Sequence, residues 1–204
     1  MPAFRAAEII RDLDTSLTDQ LRAIPYASWV DHQPGVPTQR AHPMAGFGFV
    51  VPGIEGLPLT GCTFSHVKFP GRAPTRIALL RVFVRVDEQS ALTIYSDHDW
   101  CQLVLPALSR LLGISGRAVF GVVNRFMRGL PQYHVGHLDL IEAIEQALQR
   151  HPGLIVSGDA YRGHEVTPRV GSAERAAAAL CAFIRQRANK RHSRKSHEPT
   201  SVRL

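Results

Sequence analysis

Apolar residues near the N-terminus recur every three or four positions, which is the period of an amphipathic helix. This spacing predicts one helix over residues 3–13 and a second helix that Asp14 or Thr15 caps and that Pro25 ends. Residues 31–45 are polar and rich in proline, so they predict a loop. The positions expected to face the core are Ala3, Ala6, Ala7 and Ile10 in the first helix and Leu17, Leu21 and Ile24 in the second.

Beyond this loop the hydrophobic period changes to two, which is typical of strands. Segments 46–52, 59–65 and 76–86 are each predicted as a strand, with a turn between the first two near residues 56–58. One face of the third strand should lie in a core, and the other face should be partly wet. The expected core face carries Leu80, Val82, Val84 and Val86, and the opposite face carries Arg81, Phe83 and Arg85.

Helical and strand-like segments alternate in the second half of the chain. Residues 154–157 (LIVS) are almost wholly apolar, which is typical of a short strand buried on both faces. The other predicted elements are a helix that Asp97 caps and that runs to about Leu112, a strand over 117–124, a helix over 137–150 and a helix that Ser172 caps and that runs to about Arg187. The predicted fold class is therefore α+β, with a mixed or antiparallel sheet.

The positive charge of the chain is concentrated at its C-terminus. The net charge is +7, and the residues from Arg185 onward contribute +6 of it. Residues 188–204 contain almost nothing apolar to bury, so they are predicted to form a disordered basic tail. Such a tail is most often a solvated end, and in some proteins it contacts nucleic acid or anionic lipid.

Composition excludes several classes of protein. A hydrophobic fraction of 45% and a charged fraction of 20% are those of a globular chain. No apolar run reaches the roughly 18 residues that a membrane-spanning helix needs, and the N-terminus does not have the pattern of a secretory signal. Three widely spaced cysteines, Cys62, Cys101 and Cys181, indicate neither a disulfide framework nor a metal knuckle, which favours a reducing, cytoplasmic location.

The strongest local signal for a binding site is the turn that follows residues 154–157. Gly158, Tyr161 and Gly163 stand between this predicted strand and the start of the last helix. Free backbone N–H groups at a helix start favour anions or the polar edges of cofactors, and glycines allow a ligand to approach the backbone closely. An ordinary structural turn has the same pattern, so spacing alone leaves both interpretations open.

Two weaker signals lie elsewhere. His134 and His137 are spaced for one helix face, but no third ligand stands beside them and Pro131 and Gly136 favour a turn, so no metal site is predicted. Arg72, in FPGRAP, is a residue type that grips carboxylates, although an exposed loop arginine is the more common outcome. No catalytic residue is assigned, because the sequence contains no recognisable nucleophile motif, GxGxxG or phosphate-binding loop.

An ordered series of motifs covers about residues 1–180. It comprises PAFRAAEIIRDLD…IPYAS at 2–28, GFGFVVP at 46–52, CTFSHVKFPGRAP at 62–74, LLRVFV at 79–84, PQYHVGHLD at 131–139 and PGLIVSGDAYRG at 152–163. In this order, the chain resembles the C-terminal part of the protoporphyrinogen and coproporphyrinogen oxidases, which belong to the FAD-dependent amine oxidase superfamily. The specificity lies in the series, because no single motif is diagnostic.

The resemblance implies a flavoprotein oxidoreductase of haem biosynthesis that removes hydrogens from a porphyrinogen, passes electrons to FAD and then reduces oxygen or another acceptor. It implies that residues 1–123 are part of a substrate-binding domain. Residues 124–187 would then be the C-terminal strand, loop and helix of a Rossmann-like FAD-binding domain. The positions that the resemblance assigns to the cofactor are Phe126, Gly158, Tyr161, Gly163, His164, Glu165 and Val166.

The chain departs from the family pattern at three points. The dinucleotide-binding unit with its GxGxxG does not occur in the 204 residues. Residues 29–34 (WVDHQP) stand where relatives have an apolar strand, and their proline and charge are expected to prevent a central strand. Glu165 stands where the family pattern has a glycine, and its bulk and charge oppose close approach of an anionic cofactor.

The sequence therefore predicts an oxidase fragment that is inactive alone and binds FAD weakly or not at all. One alternative is half of a split oxidase, with the other half on a separate chain. The other is a basic-tailed module that binds nucleic acid or a membrane surface. The expected partners are a porphyrinogen, a complementary N-terminal half chain and a membrane contacted at its periphery, and no specific nucleic acid is expected.

Overall fold

The computed structural model describes residues 1–38, 44, 46–86, 91–115, 117–163 and 165–195, with side chains as far as residue 189. The helices are α1 (Ala3–Ile10), α2 (Thr15–Arg22), α3 (Ser65–Lys68), α4 (Ala91–Ile94), α5 (Asp97–Leu112), α6 (His137–Leu148), α7 (Asp159–Arg162) and α8 (Val166–Lys195). The strands are β1 (Tyr26–Pro37), β2 (Gly48–Val50), β3 (Gly61–Phe64), β4 (Ile77–Val86) and β5 (Phe120–Pro131). None of the helices in these ranges is long and apolar enough to cross a lipid bilayer.

The chain divides into two compact units. One spans Tyr26–Leu130 and contains the strands, and we call it the sheet unit. The other joins Met1–Pro25 to Pro131–Leu204, and we call it the helical unit. The domain boundary that the resemblance implies after residue 123 falls inside β5, and the assignment of the two parts to a substrate-binding and an FAD-binding domain stays a prediction.

The sheet unit is built on a five-stranded sheet of order β2-β3-β4-β1-β5. The pairs β2/β3, β3/β4 and β1/β4 are antiparallel. The alternation predicted for β4 is confirmed, and the fold is α+β as expected. The buried face of β4 (Ala78, Leu80, Val82, Val84 and Val86) forms one core cluster with Trp100, Val104, Ala107 and Leu108 of α5.

The prediction of a loop over residues 31–45 is wrong for residues 31–37, which belong to β1. β1 includes Pro34 and lies centrally in the sheet, between β4 and β5. The prediction failed because burial outweighs intrinsic strand preference. Most of the β1 side chains are buried, and the charge of Asp31 is paired with Arg81 on β4.

β1 keeps one register against β4 on both sides of Pro34. His32 is paired with Val82, and Gly35 is paired with Leu79, which is the same alignment continued. A proline lacks the N–H that a ladder needs, so it interrupts the pairing locally without moving the strand. The buried side chains on both sides of it hold the register, because a slip of one residue would move them to the other face.

Glycines on β1 and β5 leave space for aromatic rings of the facing strand. A Cβ at Gly35 would lie 2.3 Å from the Phe120 ring, and a Cβ at Gly129 would lie 2.8 Å from the Trp29 ring. Any larger residue at these positions would have to displace a ring or the backbone. The two strands are therefore matched to each other by complementary size.

Two elements of the sheet unit differ from prediction at their ends. β5 replaces the strand predicted over 117–124, and it starts later and continues further. Helix α5 is capped by Ser96 rather than by Asp97. The Ser96 hydroxyl accepts from the amide of Asp99, and the Asp99 carboxylate accepts from the amide of Ser96, which forms a capping box.

The helical unit confirms the predicted N-terminal helices. All seven apolar residues assigned to the core of α1 and α2 are buried. Asp14 is the N-cap of α2, and its carboxylate accepts from the amide of Leu17 at 2.9 Å. Helix α6 also forms as predicted, with Ile141 and Ile144 buried.

Residues 154–157 do not form the predicted buried strand. They have no regular secondary structure, and Ile155 is 38% exposed. A strand requires a neighbour that satisfies its backbone groups. The described part of the helical unit contains no strand that could be that neighbour, since all five lie in the sheet unit.

Helix α8 is longer than predicted at both ends. It starts at Val166 rather than Ser172, and Pro168 is tolerated because it lies in the first turn. The helix continues to Lys195, so the part of the predicted disordered tail before residue 196 is helical. Alanine, arginine, glutamine and lysine are strong helix formers, which explains this extension. The rest of that tail lies outside the described residues.

Candidate functional site

Two segments that the sequence marks separately lie against each other in the helical unit. The Tyr133 hydroxyl donates to the backbone carbonyl of Asp159, and Nε2 of His137 lies 3.1 Å from the carbonyl oxygen of Tyr161. The ring centroids of Tyr133 and His137 are 4.5 Å apart. The turn before α6 is therefore fixed to α7, and the PQYHVGH and GDAYRG motifs form one structure.

A pocket of about 750 Å³ is formed by these two segments. Its volume lies within the range of roughly 300–1,000 Å³ that small-molecule sites occupy. Side chains that line it include Tyr133, His137, Tyr161 and Arg162, with Gly136 and Gly163 beside them. The lining combines aromatic walls with hydrogen-bond donors, which suits a flat ligand with polar edges.

Gly158 and Gly163 have backbone conformations that favour glycine. Their φ angles are +151° and +126°. A Cβ at Gly158 would lie 3.3 Å from the carbonyl oxygen of Met1, and a Cβ at Gly163 would lie 3.1 Å from the Cβ of Pro168. The turn itself therefore requires both glycines, whatever they also allow a ligand to do.

The positive charge of Arg162 at the pocket is paired with a carboxylate. Arg162 donates two hydrogen bonds to the Glu145 carboxylate, at 2.9 and 2.8 Å, and this contact lowers the pKa of Glu145. Burial, together with the charge of Asp159, raises the pKa of Tyr133. The phenol is therefore protonated at neutral pH and acts as a donor.

The other residues predicted to contact the cofactor have different surroundings. Glu165 and Val166 are exposed, and Val166 is the first residue of α8. Phe126 belongs to the sheet unit, where its ring is stacked on Trp29 with a centroid separation of 4.6 Å. His164 lies outside the described residues. Of the seven predicted positions, the structure places Tyr161 and Gly163 in the pocket lining.

The structure also pairs a cysteine with a histidine that no sequence spacing connects. In the sheet unit, Sγ of Cys101 lies 3.1 Å from Nε2 of His32. Burial lowers the pKa of His32 and raises the pKa of Cys101, so both groups are neutral at pH 7. An activated thiol needs a charged or well-oriented base, and Nδ1 of His32 is buried without a hydrogen-bond partner among the described residues. The pair therefore has the properties of a packed contact rather than of a nucleophile.

The two weaker sequence signals, the pair His134/His137 and the residue Arg72, have different surroundings in the structure. His134 and His137 both line the pocket, and His137 contacts the Tyr161 carbonyl. Among the described residues, no group of three or more histidine, cysteine or acidic side chains is placed to hold a metal ion. Arg72 is exposed, with its guanidinium carbon 5.7 Å from the centre of the Phe69 ring.

Comparison with known proteins gives consistent matches. The coproporphyrinogen III oxidase of Bacillus subtilis is 33% identical over 119 residues, which are 58% of this chain and 25% of that protein. Protoporphyrinogen oxidase 2 of Arabidopsis thaliana is 27% identical over 150 residues, covering 72% of this chain and 30% of that protein.

A solved structure from Exiguobacterium sp. 255-15, assigned as a protoporphyrinogen oxidase, has a similar fold. The TM-score is 0.74 at 27% identity, and the match covers 91% of this chain and 40% of that one. The chain thus spans well under half the length of the relatives it matches. The sequence profile of the flavin containing amine oxidoreductases matches residues 29–181, and the chain therefore belongs to this family.

Proposed function

We propose that this chain is the substrate-side and C-terminal part of an FAD-dependent oxidase that converts a porphyrinogen to a porphyrin. The observation that carries the proposal is the pocket lined by Tyr133, His137 and Tyr161, which lies within the region that matches the family. The curated relatives described above are named for oxidation of coproporphyrinogen III or protoporphyrinogen. Chemistry at such a pocket would use a bound flavin rather than a protein nucleophile.

The residues around the pocket fit the ring end of FAD and not its phosphates. Tyr133 and Tyr161 offer flat walls, and His137 and Arg162 offer polar edges, as a planar heteroaromatic ring requires. The 204 residues contain no GxGxxG, so the diphosphate needs a site on another segment. Once bound, FAD would accept the hydrogens that the porphyrinogen loses and pass the electrons to oxygen or another acceptor.

Residues 154–156 favour a role for a further polypeptide segment. They line two pockets of about 390 and 290 Å³, the first bordered by α6 and α8 and the second by α1 and α2. An apolar segment that lines pockets formed by helices has the surroundings of a strand in an α/β layer structure, without the adjacent strand. On this proposal, the dinucleotide-binding segment supplies that strand.

Two consequences follow for the chain as it stands. It should bind FAD weakly and should not catalyse alone, whether the complementary segment belongs to the same polypeptide or to a separate chain. All three cysteines are free, which suits the reducing compartment that we propose as its location.

Reconstitution of oxidase activity tests the proposal. The chain is mixed with FAD, coproporphyrinogen III and the part of the Bacillus subtilis enzyme that precedes the matched region, and coproporphyrin fluorescence is followed. We expect no product from either polypeptide alone and measurable product from the mixture. The variant Ile155→Asp, which places a charge in the proposed strand contact, should abolish it.

Two results would contradict the proposal. Product from the chain and FAD alone would overturn the dependence on a second segment. A stable complex of the two polypeptides that holds FAD and still forms no porphyrin from either coproporphyrinogen III or protoporphyrinogen would overturn the proposed reaction.

A further inference from the structure

Asp31 and Arg81 form an ion pair on the face of the sheet that lies opposite the α5 core. The Nε of Arg81 donates to Oδ2 of Asp31 at 2.9 Å, and the side-chain amide of Gln33 donates to the same oxygen at 3.0 Å. The Asp31 side chain is 2% exposed, whereas the Arg81 side chain is 43% exposed. The carboxylate is therefore a buried anchor for a guanidinium that reaches the surface.

The anchored guanidinium keeps its terminal nitrogens available. Its Nε is bound to Asp31, and the described residues provide no hydrogen-bond partner for its two Nη groups. The guanidinium carbon also lies 5.1 Å from the centre of the Phe83 ring, which restricts its plane. An arginine held in this way is suited to bind a carboxylate, because its side chain is already ordered and loses little conformational entropy on binding.

The same face of the sheet is rich in aromatic and aliphatic surface. Trp29 pairs with Arg85 of β4, and Phe126 is stacked on Trp29. Phe120 packs over Gly35 on this face, and Val122 follows it at the strand period of two. Phe120 and Val122 are 43% and 52% exposed. Flat apolar surface beside oriented guanidinium N–H groups is complementary to a planar macrocycle with acidic side chains.

We propose that Arg81, positioned by Asp31, binds a carboxylate side chain of the tetrapyrrole on this face. The proposal rests on the proposed function, and it identifies the part of the substrate that the chain recognises. Coproporphyrinogen carries four carboxylates at the rim of its ring, and its oxidised product coproporphyrin keeps all four. Because the contact is with a side chain, it does not require FAD or turnover, and the product is a valid probe.

Binding of coproporphyrin III and of its tetramethyl ester to the full chain tests this contact. Both are titrated in the same mild detergent, and binding is followed by quenching of tryptophan fluorescence. We expect Arg81→Gln to weaken binding of the acid about tenfold, the usual loss for one charge-assisted contact, and to leave the ester roughly unchanged. Arg110→Gln, on the exposed side of α5, is the matched control and should change neither.

Two further variants separate positioning from charge. Arg81→Lys keeps the charge but has no guanidinium fork, so it should recover only part of the affinity for the acid. Asp31→Asn should reduce the preference for the acid over the ester while Arg81 is still present, and melting curves establish that each variant is folded. A purely structural role for Asp31 would instead weaken acid and ester equally.

The outcomes also separate this inference from the proposed function. One outcome is that the unaltered chain binds both acid and ester while Arg81→Gln changes the two affinities by the same factor or changes neither affinity. The proposed contact with Arg81 is then wrong, and the proposed function stands. If the reconstituted oxidase is active and the acid binds no better than the ester, recognition of the carboxylate by this face is likewise wrong. If the chain binds neither compound and reconstitution also fails, both proposals are overturned.

Discussion

The Asp14 carboxylate accepts a hydrogen bond from Nε2 of His151 at 2.7 Å, although the two residues are 137 positions apart in the sequence. The same carboxylate oxygen accepts from Arg150 at 2.9 Å, and the other oxygen caps α2 through the amide of Leu17. One side chain therefore joins the start of α2 to the segment after α6. This contact is part of the reason that Met1–Pro25 belongs with the C-terminal helices rather than with the sheet.

A pH-dependent loss of stability follows from this contact. The His151 hydrogen bond, followed by the Leu17 amide and Arg150, lowers the pKa of Asp14 far below its usual value of 3.8. A carboxyl whose pKa is lowered by folding contributes its full stabilisation above its unfolded-state pKa. This contribution is lost as the pH falls from the unfolded-state pKa towards the lower folded-state pKa. We expect Asp14→Asn, which keeps a capping side chain, to lower Tm by several degrees at pH 7.

Thermal unfolding followed by circular dichroism checks this prediction. The difference in Tm between the two proteins should shrink as the pH falls below 3.8. Asp12→Asn is the control, because the Asp12 side chain is 90% exposed. A difference in Tm that is the same in strong acid would show that the charge of Asp14 is not involved.

The close packing of the Phe120 ring over Gly35 predicts that a larger residue at position 35 destabilises the fold and that a smaller residue at position 120 partly restores the stability. Gly35→Ala places a methyl group 2.3 Å from ring atoms, so we expect a loss of roughly 1–3 kcal/mol in the free energy of unfolding. Phe120→Leu in the same chain should restore part of that loss, which a double-mutant cycle in urea measures. Gly53→Ala, where nothing lies within 4 Å, is the control. Additive effects of the two changes would contradict the packing of β5 against β1.

How far the sequence predicts the fold depends on where the decisive contacts lie. The residues of α1, α2 and β4 are predicted correctly because their periodicity directly reflects burial. β1 is missed because its central position depends on packing with β4 and β5, which a local rule about proline does not include. Residues 154–157 are wrongly predicted as a strand. Their apolar pattern is that of a buried strand, but the described helical unit contains no adjacent strand with which they could pair.

The candidate site is predictable in its parts but not in its assembly. The glycine turn and the PQYHVGH motif are both visible in the sequence, yet only the fold shows that Tyr133 and His137 hold the backbone of α7. The pairs Cys101/His32 and Asp31/Arg81 are invisible to spacing arguments. Each joins residues that are brought together by packing around β1, the strand that the sequence misassigns.

The three cysteines should react with thiol reagents in a fixed order. Cys181 is exposed, Cys101 is half-buried with its pKa raised by burial, and Cys62 is buried with its pKa raised to about 12. Relative to the usual value of 9.0, the last shift lowers the thiolate fraction about a thousandfold. We therefore expect Cys181 to react first and Cys62 only after unfolding.

Labelling with a chromogenic disulfide at pH 8, followed by peptide mass spectrometry, checks the order. Cys181→Ser should remove the fast phase, and denaturant should release the remaining thiols together. Reaction of Cys101 as fast as that of Cys181 would contradict the neutral state assigned to the Cys101/His32 pair.

Glu165 should weaken flavin binding in the reconstituted protein. Its exposed carboxylate lies near the start of α8, at a position where the resemblance implies a glycine. A like charge near an anionic cofactor is partly screened by solvent, so we expect Glu165→Gln to tighten FAD binding only a few-fold and Glu165→Gly somewhat more. Glu174→Gln, further along α8 and also exposed, is the control. Weaker binding by both Glu165 variants would show that the carboxylate assists the cofactor.

Quenching of FAD fluorescence on titration, with and without the N-terminal segment of the Bacillus subtilis relative, measures whether flavin binding by this chain depends on a second segment. The chain alone should leave the fluorescence nearly unchanged, because its 204 residues contain no GxGxxG to bind the diphosphate. Addition of the second segment should give saturable quenching, which Ile155→Asp should prevent. A chain that copurifies with stoichiometric FAD by itself, or that binds it equally well without the second segment, would contradict the account.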